Sequence, residues 1–551
     1  MSQSGPGVAW VDVDGDGNED LVVGTGKGGK LAVYHNEAQK GFHLLETPAL
    51  SQAATRDQTA ILGWSPKPGT SSLLVSSSNY EDGLTSGDCV LRYDFEGSQP
   101  KLVPGIPAQT GSVGPLSLGD LAGDGHLALF VGGRVLPGRY PEAGPSMIYV
   151  YDGQQWQLDA ANSKEFERAG MVSGAVWSDL DGDGFPELIL ACEWGPVRVF
   201  KNAAGKLHEI TREVGLADLV GWWSGVTTGD LDGDGRMDII ACNWGRNSPY
   251  RASDEHPVRL FYGNWNDTGG IELLEAQDDP ELGTVPIRNL GAVSKGLPFL
   301  LAKFATWASF AEANVTNILG DKWPSTRQLQ ANTLASTVFL NRGGHFEARA
   351  LPREAQYAPA WAVCIADADG DGNEDVFISQ NFFAVNADGT RLDAGRGLWL
   401  RGDGKGNLAP VPGHESGVKV YGEQRGAAVC DYDGDGRIDL VVTQNGTQTK
   451  LYHNEKAKPG LRVRLKGPEG NPSGTGAQLR LFYGQRQGPV RETHAGSGYC
   501  SQDSAIQVMA APQPPDQIWA RWPGGKTSTH KIPPNASEIE LDWAGNLRVI
   551  R

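Results

Sequence analysis

The chain has 551 residues, of which 39% are hydrophobic and 21% are charged, so it belongs with soluble globular proteins rather than disordered ones. Its formal net charge of −18 argues against nucleic acid as a partner. No apolar run reaches the length of a membrane-spanning helix, so we expect no membrane span. The first residues lack the basic and apolar regions of a secretory signal, so no signal peptide is visible.

Strand-like sequence begins at Val8 and leads directly into an acidic loop with the pattern Asp-x-Asp-Gly-Asp-Gly-x-x-Asp/Glu. A sixth copy of this pattern, at Asp120, has lost two acidic positions, and a seventh, at Gly63, has lost all of them. Five complete loops hold 22 of the 66 acidic residues, which concentrates the negative charge there. The five complete copies begin at Asp12, Asp179, Asp230, Asp367 and Asp431.

Each repeat has the same order of strands around its loop. In the copy at Asp179, an apolar strand at 174–178 enters the loop, a second strand at 188–191 leaves it, and a third ends in a Tyr/Phe-x-Asn turn at Asn202 before a short fourth strand. Four short strands per repeat correspond to one blade of a β-propeller. One unit could not bury its apolar face alone, so seven units are expected to stack into a closed ring.

The starts of the repeats lie 51 to 64 residues apart, except for one gap of 137 that contains an insertion at about 270–336. Apolar residues in 299–319 recur at helical spacing and stop at Gly320, which predicts a helix. A second short helix is predicted over about 325–334. Insertions lie on one face of a propeller, so this one is expected either to shape a binding surface or to cap the edge of a blade.

The acidic loops predict calcium, because carboxylates at alternate positions of a short loop need compensation for their charge. Hard oxygen ligands in a flexible loop select Ca²⁺ over Zn²⁺, Cu²⁺ and Mg²⁺. An EF-hand or a dockerin would place Glu at position 12 and helices on both sides, whereas here position 9 is acidic and the flanks have strand periodicity. We therefore predict about five structural calcium sites.

The ligands in each predicted site are four carboxylates and the backbone carbonyl of the seventh loop residue. The five sets are Asp12, Asp14, Asp16, Asn18 and Asp20; Asp179, Asp181, Asp183, Phe185 and Glu187; Asp230, Asp232, Asp234, Arg236 and Asp238; Asp367, Asp369, Asp371, Asn373 and Asp375; Asp431, Asp433, Asp435, Arg437 and Asp439. Such loops bind calcium weakly, at about 10⁻⁴–10⁻³ M, and cytosolic calcium would leave them empty. We therefore predict an extracytoplasmic protein that is secreted, periplasmic or at the cell surface.

These repeats resemble the FG-GAP/VCBS repeats of integrin α-subunit propellers and of many bacterial secreted proteins. After Glu455 the chain changes to alternating strands of a small β-domain. That stretch resembles the ASPIC/UnbV domain through Gly474-Thr-Gly-Ala, the run from His494 to Asp503, and Trp522-Pro-Gly-Gly; the expected Phe-Gly-Leu-Gly is absent.

The predicted fold is all-β. A seven-bladed β-propeller over 1–456, with a short helical insertion, is followed by a small β-sandwich-like domain over 457–551.

The run at 494–503 contains His494, Ser497, Cys500 and Asp503, which could be interpreted as a catalytic triad. Four residues crowded into ten positions rarely converge, so a hydrogen-bonded turn is the better interpretation and no catalytic residue is assigned. Six cysteines occur without a Cys-x-x-Cys motif. Because several occupy equivalent strand positions in different repeats, they are predicted to be core residues rather than disulfides.

The resemblance to integrin-like propellers places the calcium loops on one face and the loops after each second strand around the opposite mouth. Exposed aromatic rings mixed with Arg, Asn and Glu suit a carbohydrate or a protein ligand. The alternative is that Trp194 and Trp244 only pack between blades. The residues placed at this mouth are Arg134, Arg139, Tyr140, Glu193, Trp194, Asn243, Trp244, Arg246, Asn381, Phe382 and Asn445, with Trp222 and Trp223 entering from the loop before a first strand.

Three functions stay open from the sequence. The preferred one is a monomeric binding or adhesion module for carbohydrate or extracellular protein ligands. The second is a polysaccharide lyase or hydrolase, for which Glu193 with Arg134 or Arg246 is the only acid/base candidate. The third is a purely structural surface protein. The sequence has no P-loop, His-Glu-x-x-His or Gly-x-Ser-x-Gly motif, which counts against the enzyme hypothesis without excluding it.

Overall fold

A computed structural model describes residues 4–385, 389–510 and 513–551. Ten sheets and only short helices make up these ranges, so the predicted all-β class is confirmed. Seven sheets, numbered 1 to 7 here, follow the seven repeats, and each carries its strands in chain order with antiparallel pairing. No helix in the described ranges combines the length and the hydropathy that crossing a membrane requires.

The strands of the seven sheets are as follows. Sheet 1 contains Val8–Val11, Asp20–Val23, Ala32–Asn36 and Phe42–Leu44; sheet 2 contains Asp57–Trp64, Ser71–Ser78, Asp88–Glu96 and Gln99–Pro107; sheet 3 contains Val113–Gly119, Ala128–Gly133, Met147–Tyr151 and Trp156–Leu158. Sheet 4 contains Met171–Ser178, Glu187–Gly195, Arg198–Asn202 and Leu207–Glu209, with Gly221–Trp222 as an additional strand. Sheet 5 contains Val226–Gly229, Asp238–Ala241, Thr337–Asn341 and Phe346–Ala350; sheet 6 contains Ala360–Ala366, Asp375–Gln380, Leu398–Gly402 and Leu408–Pro410; sheet 7 contains Glu423–Cys430, Asp439–Asn445 and Lys450–Tyr452.

The first strands of these sheets line the inside of a ring. Each first strand contacts that of the next sheet, and Glu423–Cys430 of sheet 7 contacts Val8–Val11 of sheet 1. Met171–Ser178 and Glu423–Cys430 are buried along their whole length because neighbouring sheets cover both of their faces. This circular arrangement of sheets is that of a β-propeller.

The asparagine of the Tyr/Phe-x-Asn turn ties its sheet to the preceding one. In four of the five acidic-loop repeats the side-chain amide donates a hydrogen bond to a backbone carbonyl in the previous sheet. The pairs are Asn36 to Tyr432 at 2.7 Å, Asn202 to Leu121 at 2.9 Å, Asn341 to Leu180 at 2.8 Å and Asn454 to Ala368 at 2.8 Å. The turn motif therefore also holds adjacent repeats together.

The insertion differs from its prediction in two ways. The helix predicted over 299–319 is three short helices, Leu300–Lys303, Trp307–Ala311 and Val315–Leu319, because Thr306 and Asn314 cap new helix starts within the run. The helix predicted over 325–334 is wrong: Gly320–Ser325 is a 3₁₀ turn and Arg327–Ala331 is a strand.

That strand belongs to an inserted four-stranded sheet, which begins before residue 270, the predicted start of the insertion. Its strand order is Gly283–Pro286, Glu272–Asp279, Val258–Gly263 and Arg327–Ala331, and the helix Leu290–Val293 follows it. Aromatic and aliphatic side chains, including Phe261, Trp265 and Ile318, bury the helices against this sheet. The apolar residues of this segment recur at helical spacing because they form the faces by which the short helices pack on this sheet.

The remaining short helical segments lie in loops of the ring. They are the α-helices Ala160–Ser163 and Gly413–Ser416 and the 3₁₀ turns Ala38–Lys40, Lys164–Phe166 and Arg353–Gln356.

The C-terminal domain contains two four-stranded sheets that share one apolar core, with Val463 and Ile539 from one sheet and Leu479 and Ile518 from the other. Strand alternation places these side chains on the facing sides of the two sheets. The sheets are Gln507–Met509, Leu461–Lys466, Glu538–Asp542 and Leu547–Val549, and Arg486–Glu492, Gln478–Tyr483, Gln517–Arg521 and Thr527–Lys531.

Residues 494–504, here called the axial segment, connect a strand of one of these sheets to a strand of the other. This segment lies in the centre of the ring. Ser501–Gln502 pairs in parallel with Val8–Ala9 of sheet 1. Ala495 bridges to Leu118 of sheet 3, and Gly498 bridges to Val226 of sheet 5. The axial segment therefore joins first strands from different parts of the ring.

Tyr499 in the axial segment is 1% exposed. The Ser497 N–H donates to the Ser501 carbonyl at 3.0 Å, so the segment contains a tight turn, as predicted. All six cysteines are buried and free, which confirms their prediction as core residues.

Candidate functional site

Each complete acidic loop curls around its first carboxylate. Asp12 Oδ1 accepts a hydrogen bond from the Gly15 N–H at 2.7 Å, and Oδ2 accepts one from the Gly17 N–H at 3.0 Å. Both glycines have φ near +80 to +91°, a region that glycine adopts without strain. Asp179 and Asp367 make the same two bonds in their own loops.

The ninth residue of each loop closes it against the third strand. Asp20 accepts from the Val13 N–H at 2.9 Å and from the Asn36 N–H at 2.8 Å. Burial raises the pKa of Asp20 to about 6, that of Asp238 to about 7 and that of Asp375 to about 8. These raised pKa values show that the folded chain disfavours the ionised form when no cation is present.

The donor set fits a hard divalent cation. Carboxylate oxygens of Asp12, Asp14 and Asp16 lie within 4.8 Å of one another, and the second and third complete loops contain equivalent groups. In the described residues, one buried oxygen each of Asp230, Asp232 and Asp369 has no hydrogen-bond partner. Buried carboxylate oxygens without donors are costly, and oxygen-rich clusters are the ligands that Ca²⁺ prefers.

Basic side chains next to the loops were not anticipated from the sequence. Lys201 Nζ lies 2.6 Å from Asp181 Oδ2, 2.6 Å from Asp183 Oδ2 and 3.0 Å from Glu187 Oε1. His35, Arg342, Arg401 and His453 contact the carboxylates of the other four loops. A cation in these loops therefore competes with protein ammonium, guanidinium or imidazole groups for the same oxygens.

The C-terminal domain covers this acidic face with one arginine for each complete loop. Among the described residues, no hydrogen bond or ion pair is seen between an arginine of that domain and either degraded loop. The five contacts are Arg464 to the Gly17 carbonyl at 2.9 Å, Arg521 to the Gly182 carbonyl at 2.6 Å, Arg480 to the Gly233 carbonyl at 3.3 Å, Arg491 to Glu374 Oε2 at 2.7 Å and Arg462 to the Asp431 carbonyl at 3.2 Å. Charge complementarity thus positions this domain on the ring.

A cavity of about 500 Å³ opens at the opposite mouth of the ring. The loops that follow the second strands lie at the opposite end of the strands from the acidic loops, and residues of these loops line the cavity. Nine of the residues predicted for a ligand site line it, namely Phe382 and eight others. The eight are Arg134, Tyr140, Glu193, Trp194, Trp222, Trp223, Asn243 and Trp244.

Aromatic rings form one continuous wall of this cavity, here called the aromatic mouth. The Trp222 ring centroid lies 4.8 Å from that of Trp194, 5.3 Å from that of Trp244 and 4.7 Å from that of Tyr250. Trp244 continues the wall to Phe382, at 5.0 Å. The edge-on contacts fix the orientation of Trp222, so its remaining surface is presented as a rigid platform.

A polar network lies beside the wall. Arg134 Nη2 donates to Glu193 Oε2 at 2.9 Å, and the Tyr140 hydroxyl donates to Glu193 Oε1 at 2.7 Å. The Trp194 indole N–H donates to the Tyr140 oxygen at 2.7 Å. Trp194 has φ +59°, a strained value for a residue with a side chain, and this network holds it there.

Four predicted residues do not line the cavity. Arg139 pairs with Glu142, and Arg246 points to solvent. Asn381 is fully buried and its side chain binds the Gly395 and Gly422 carbonyls, so its role is structural. Asn445 lies at the end of the second strand of sheet 7, outside the lining.

Twelve lining residues were not predicted, and six of them are aromatic or charged. Tyr80 follows the second strand of the repeat whose loop has lost its acidic residues, and Tyr250 and Glu275 come from the insertion and the segment that leads into it. Trp361 and Arg425 lie on first strands, with the guanidinium of Arg425 4.2 Å from the Trp361 ring centroid. Tyr499 comes from the axial segment, 5.3 Å from Trp361, and no sequence pattern indicates that placement.

Comparisons with known proteins match both parts of the chain. A family model described as an FG-GAP-like repeat matches residues 179–241, and one described as ASPIC and UnbV matches residues 467–546. Cartilage acidic protein 1 of Xenopus tropicalis is 24% identical over 249 residues, 43% of this chain. The match spans only 36% of that relative's length. The resemblance to both families is confirmed.

Solved structures with a similar course of the chain have low sequence identity. BBS1N, in complex with ARL6DN, has a TM-score of 0.39 at 10% identity and covers 83% of this chain and 94% of its own. The exotype rhamnogalacturonan lyase YesX has a TM-score of 0.33 at 12% identity, covering 93% and 80%. The Dos1 propeller has a TM-score of 0.32 at 11% identity, covering 85% and 92%.

Proposed function

We propose that this chain is an extracytoplasmic, calcium-stabilised binding module and that the aromatic mouth binds carbohydrate. The wall formed by Trp194, Trp222, Trp244 and Phe382 is the observation that carries this proposal. Flat aromatic surfaces stack on the C–H faces of sugar rings, and a small number of fixed polar groups selects among hydroxyl patterns. A cavity of about 500 Å³ is of the size that small ligands occupy.

The polar network supports binding rather than catalysis. Burial, with the adjacent Glu193 carboxylate, raises the pKa of the Tyr140 phenol well above its usual value, so Tyr140 stays protonated and is a poor general base. Arg134 already pairs with Glu193. Both groups therefore serve as fixed hydrogen-bonding partners at the edge of the aromatic wall.

Calcium supports the ring rather than the ligand in this proposal. The ion would supply charge compensation for the carboxylates of Asp12, Asp179, Asp230, Asp367, Asp431 and their loop partners. Those loops lie at the opposite end of the strands from the aromatic mouth. Weak loop affinities favour a calcium-rich compartment outside the cytoplasm, and a monomer suffices because one chain builds the whole mouth.

The experiment is a glycan array probed with the full chain in calcium, followed by titration calorimetry with the best oligosaccharide. Trp222→Ala should weaken binding at least tenfold, because it removes the central stacking surface and a loss of about 1.4 kcal/mol is a tenfold change in affinity. The control is Trp307→Ala, because Trp307 is 63% exposed on the insertion. Equal losses in both variants, or no glycan bound, would count against the proposal.

A second readout separates carbohydrate binding from the enzyme hypothesis and from binding of a protein ligand. A reducing-end assay and absorbance of unsaturated products should stay at background with the same oligosaccharide. Product release would favour the enzyme hypothesis, and a protein ligand captured with no glycan bound would favour the protein-binding version.

A further inference from the structure

Sheet 7 is incomplete when it is compared with the rest of the ring. In the described parts of the chain, sheets 1 to 6 each have a fourth strand after the Asn or Gly turn, whereas sheet 7 ends at Lys450–Tyr452. After Asn454 the chain enters Leu461–Lys466 of the C-terminal domain. The position beside the third strand of sheet 7 is therefore left without its own repeat's strand.

The linker cannot move into that position without losing contacts. The Gly460 N–H donates to the Gly436 carbonyl at 2.7 Å, and Arg437 Nε donates to the Ala457 carbonyl at 2.7 Å. Both bonds hold residues 457–460 against the acidic loop at 431–439. The chain's own linker is thereby committed elsewhere.

The third strand of sheet 7 is more exposed than its counterparts. Leu451 is 37% exposed, whereas the equivalent Val33 and Val199 are 0% exposed and Val338 is 3% exposed. An exposed apolar residue on a strand with an unpaired edge is a site where another strand can add. Sheet 7 therefore has both the open edge and the apolar surface that such pairing requires.

The other sheets show what covers the equivalent position. In five of them a large apolar residue opens the fourth strand and packs against the preceding sheet. Phe42 lies 5.3 Å from Tyr432, Trp156 lies 4.7 Å from Trp64, and Leu207 packs in the cluster of Phe130. The five residues are Phe42, Trp156, Leu207, Phe346 and Leu408.

At the corresponding place beside sheet 7 there is a cavity of about 380 Å³. Tyr452 and Leu440 of sheet 7 line one side, and Trp399, Val411 and Val418 line the side toward sheet 6. The lining also includes the ionisable residues Asp369, Asp375, Arg401, His414, Glu415, His453, Glu455 and Lys456. An apolar cavity of about 150 Å³ is enough to hold benzene. The space can therefore accept the aromatic or leucine side chain that the fourth strands of other sheets supply.

We propose that sheet 7 is completed in trans. An extended segment of a different polypeptide pairs with Lys450–Tyr452 and places a large apolar side chain in the cavity between sheets 6 and 7. Backbone hydrogen bonds would supply the pairing, and the cavity would select for the apolar residue at the start of the strand. The occupant is thus a peptide with the pattern of the chain's own fourth strands, a turn residue followed by Phe, Trp or Leu.

The test uses the full chain and a synthetic peptide of residues 203–211, which contains the fourth strand of sheet 4. Hydrogen exchange measured by mass spectrometry should slow at least tenfold in the segment 446–454 when this peptide is present. A peptide with Asp in place of Leu207 should give no protection, because aspartate lacks the apolar surface that packs against Trp399 and Val418, and four carboxylates already line the cavity.

A protein variant checks the cavity independently. Val418→Trp fills the space from the side of sheet 6, and Val418 is 3% exposed. This variant should keep the melting temperature within a few degrees and lose peptide protection at least tenfold. If it fails to fold, Val411→Phe provides the same test from a half-buried position.

Three outcomes would overturn the inference. The first is unchanged exchange in 446–454 at millimolar peptide. The second is equal protection by the Leu207 and Asp peptides. The third is a dimer in light scattering whose own contact protects 446–454 without peptide, because the occupant would then be a second copy of this chain.

Discussion

The two faces of the ring are built by different means. The acidic face repeats one loop five times, and the C-terminal domain covers it with five arginines, one for each loop. The aromatic mouth adds irregular elements to the repeat, since Trp222, Tyr250, Trp361 and Tyr499 come from unrelated segments and join the repeat-equivalent Trp194 and Trp244. The comparison teaches that one face is built from repeated elements alone, whereas the face proposed for recognition also needs irregular ones.

Removing calcium should produce the largest effect if the acidic face holds the ring. A site that binds only the folded chain stabilises it by about 2 kcal/mol when free calcium is about thirty times the dissociation constant, or roughly 10 kcal/mol for five such sites. We expect the melting temperature measured by calorimetry to fall by at least about 10 °C in EGTA. Magnesium should restore little of it, because Mg²⁺ gives up its waters reluctantly.

An unchanged melting temperature in EGTA, with no calcium in the purified protein, would show that calcium does not stabilise the acidic face. Basic residues beside the loops, such as Lys201, would then be the only groups that compensate the charge of the loop carboxylates.

Arg491→Ala should have the next largest effect, because it leaves the buried Glu374 carboxylate without its partner. Removing one partner of a buried ion pair costs about 3–5 kcal/mol. The matched control lies on the other face: Arg246→Ala, at an exposed position, should cost less than about 0.5 kcal/mol. Urea unfolding of both variants measures the difference, and similar midpoints would contradict the assignment of stability to the acidic face.

The pH dependence should be smaller and should change sign with calcium. Asp238 and Asp375 have folded-state pKa values raised to about 7 and about 8 by burial, above their unfolded values. At a pH between the unfolded and the folded pKa of each carboxyl, the folded chain binds more protons than the unfolded chain. Its stability without calcium therefore falls as pH rises through that range. In EGTA the melting temperature should drop by several degrees from pH 5.5 to pH 8.

In calcium the trend should reverse, because the ion binds the ionised carboxylates and its affinity rises with pH. Parallel pH profiles with and without calcium would argue that these carboxylates do not bind it.

The smallest effect is expected from reductant and thiol reagents. All six cysteines are buried and free, and burial raises the pKa of Cys89 and Cys500 to about 12. A native-state thiol assay should detect less than about one thiol per chain in an hour, and dithiothreitol should not move the melting temperature. Rapid labelling would show that the ring opens locally, and urea provides the positive control.

Periodic features were predictable from the sequence, because each acidic loop repeats with the same glycines and the same flanking strands. That periodicity located the paired strands of all seven sheets, including Asp57–Trp64 and Ser71–Ser78, whose connecting loop has lost every acidic residue. It also located most of the aromatic mouth, since Glu193, Trp194, Asn243 and Trp244 follow second strands.

Features that depend on contacts distant in sequence were not predictable. Tyr499 reaches the mouth only because the axial segment crosses the ring, and neither its spacing nor its neighbours indicate this. The five arginines of the C-terminal domain have no common spacing. In the insertion, the helical apolar spacing of 299–319 was real, but caps at Thr306 and Asn314 divided it.

The pairing of Ser501–Gln502 with Val8–Ala9 has a consequence for how the protein is made. A ribosome releases the first strand nearly five hundred residues before its partner, so that edge stays open during most of translation. Exposed strand edges can pair wrongly, so this edge is open to wrong pairing until residues 501–502 emerge. A truncation before residue 494 removes this pairing permanently, so we expect it to impair folding during synthesis as well as the stability of the folded ring.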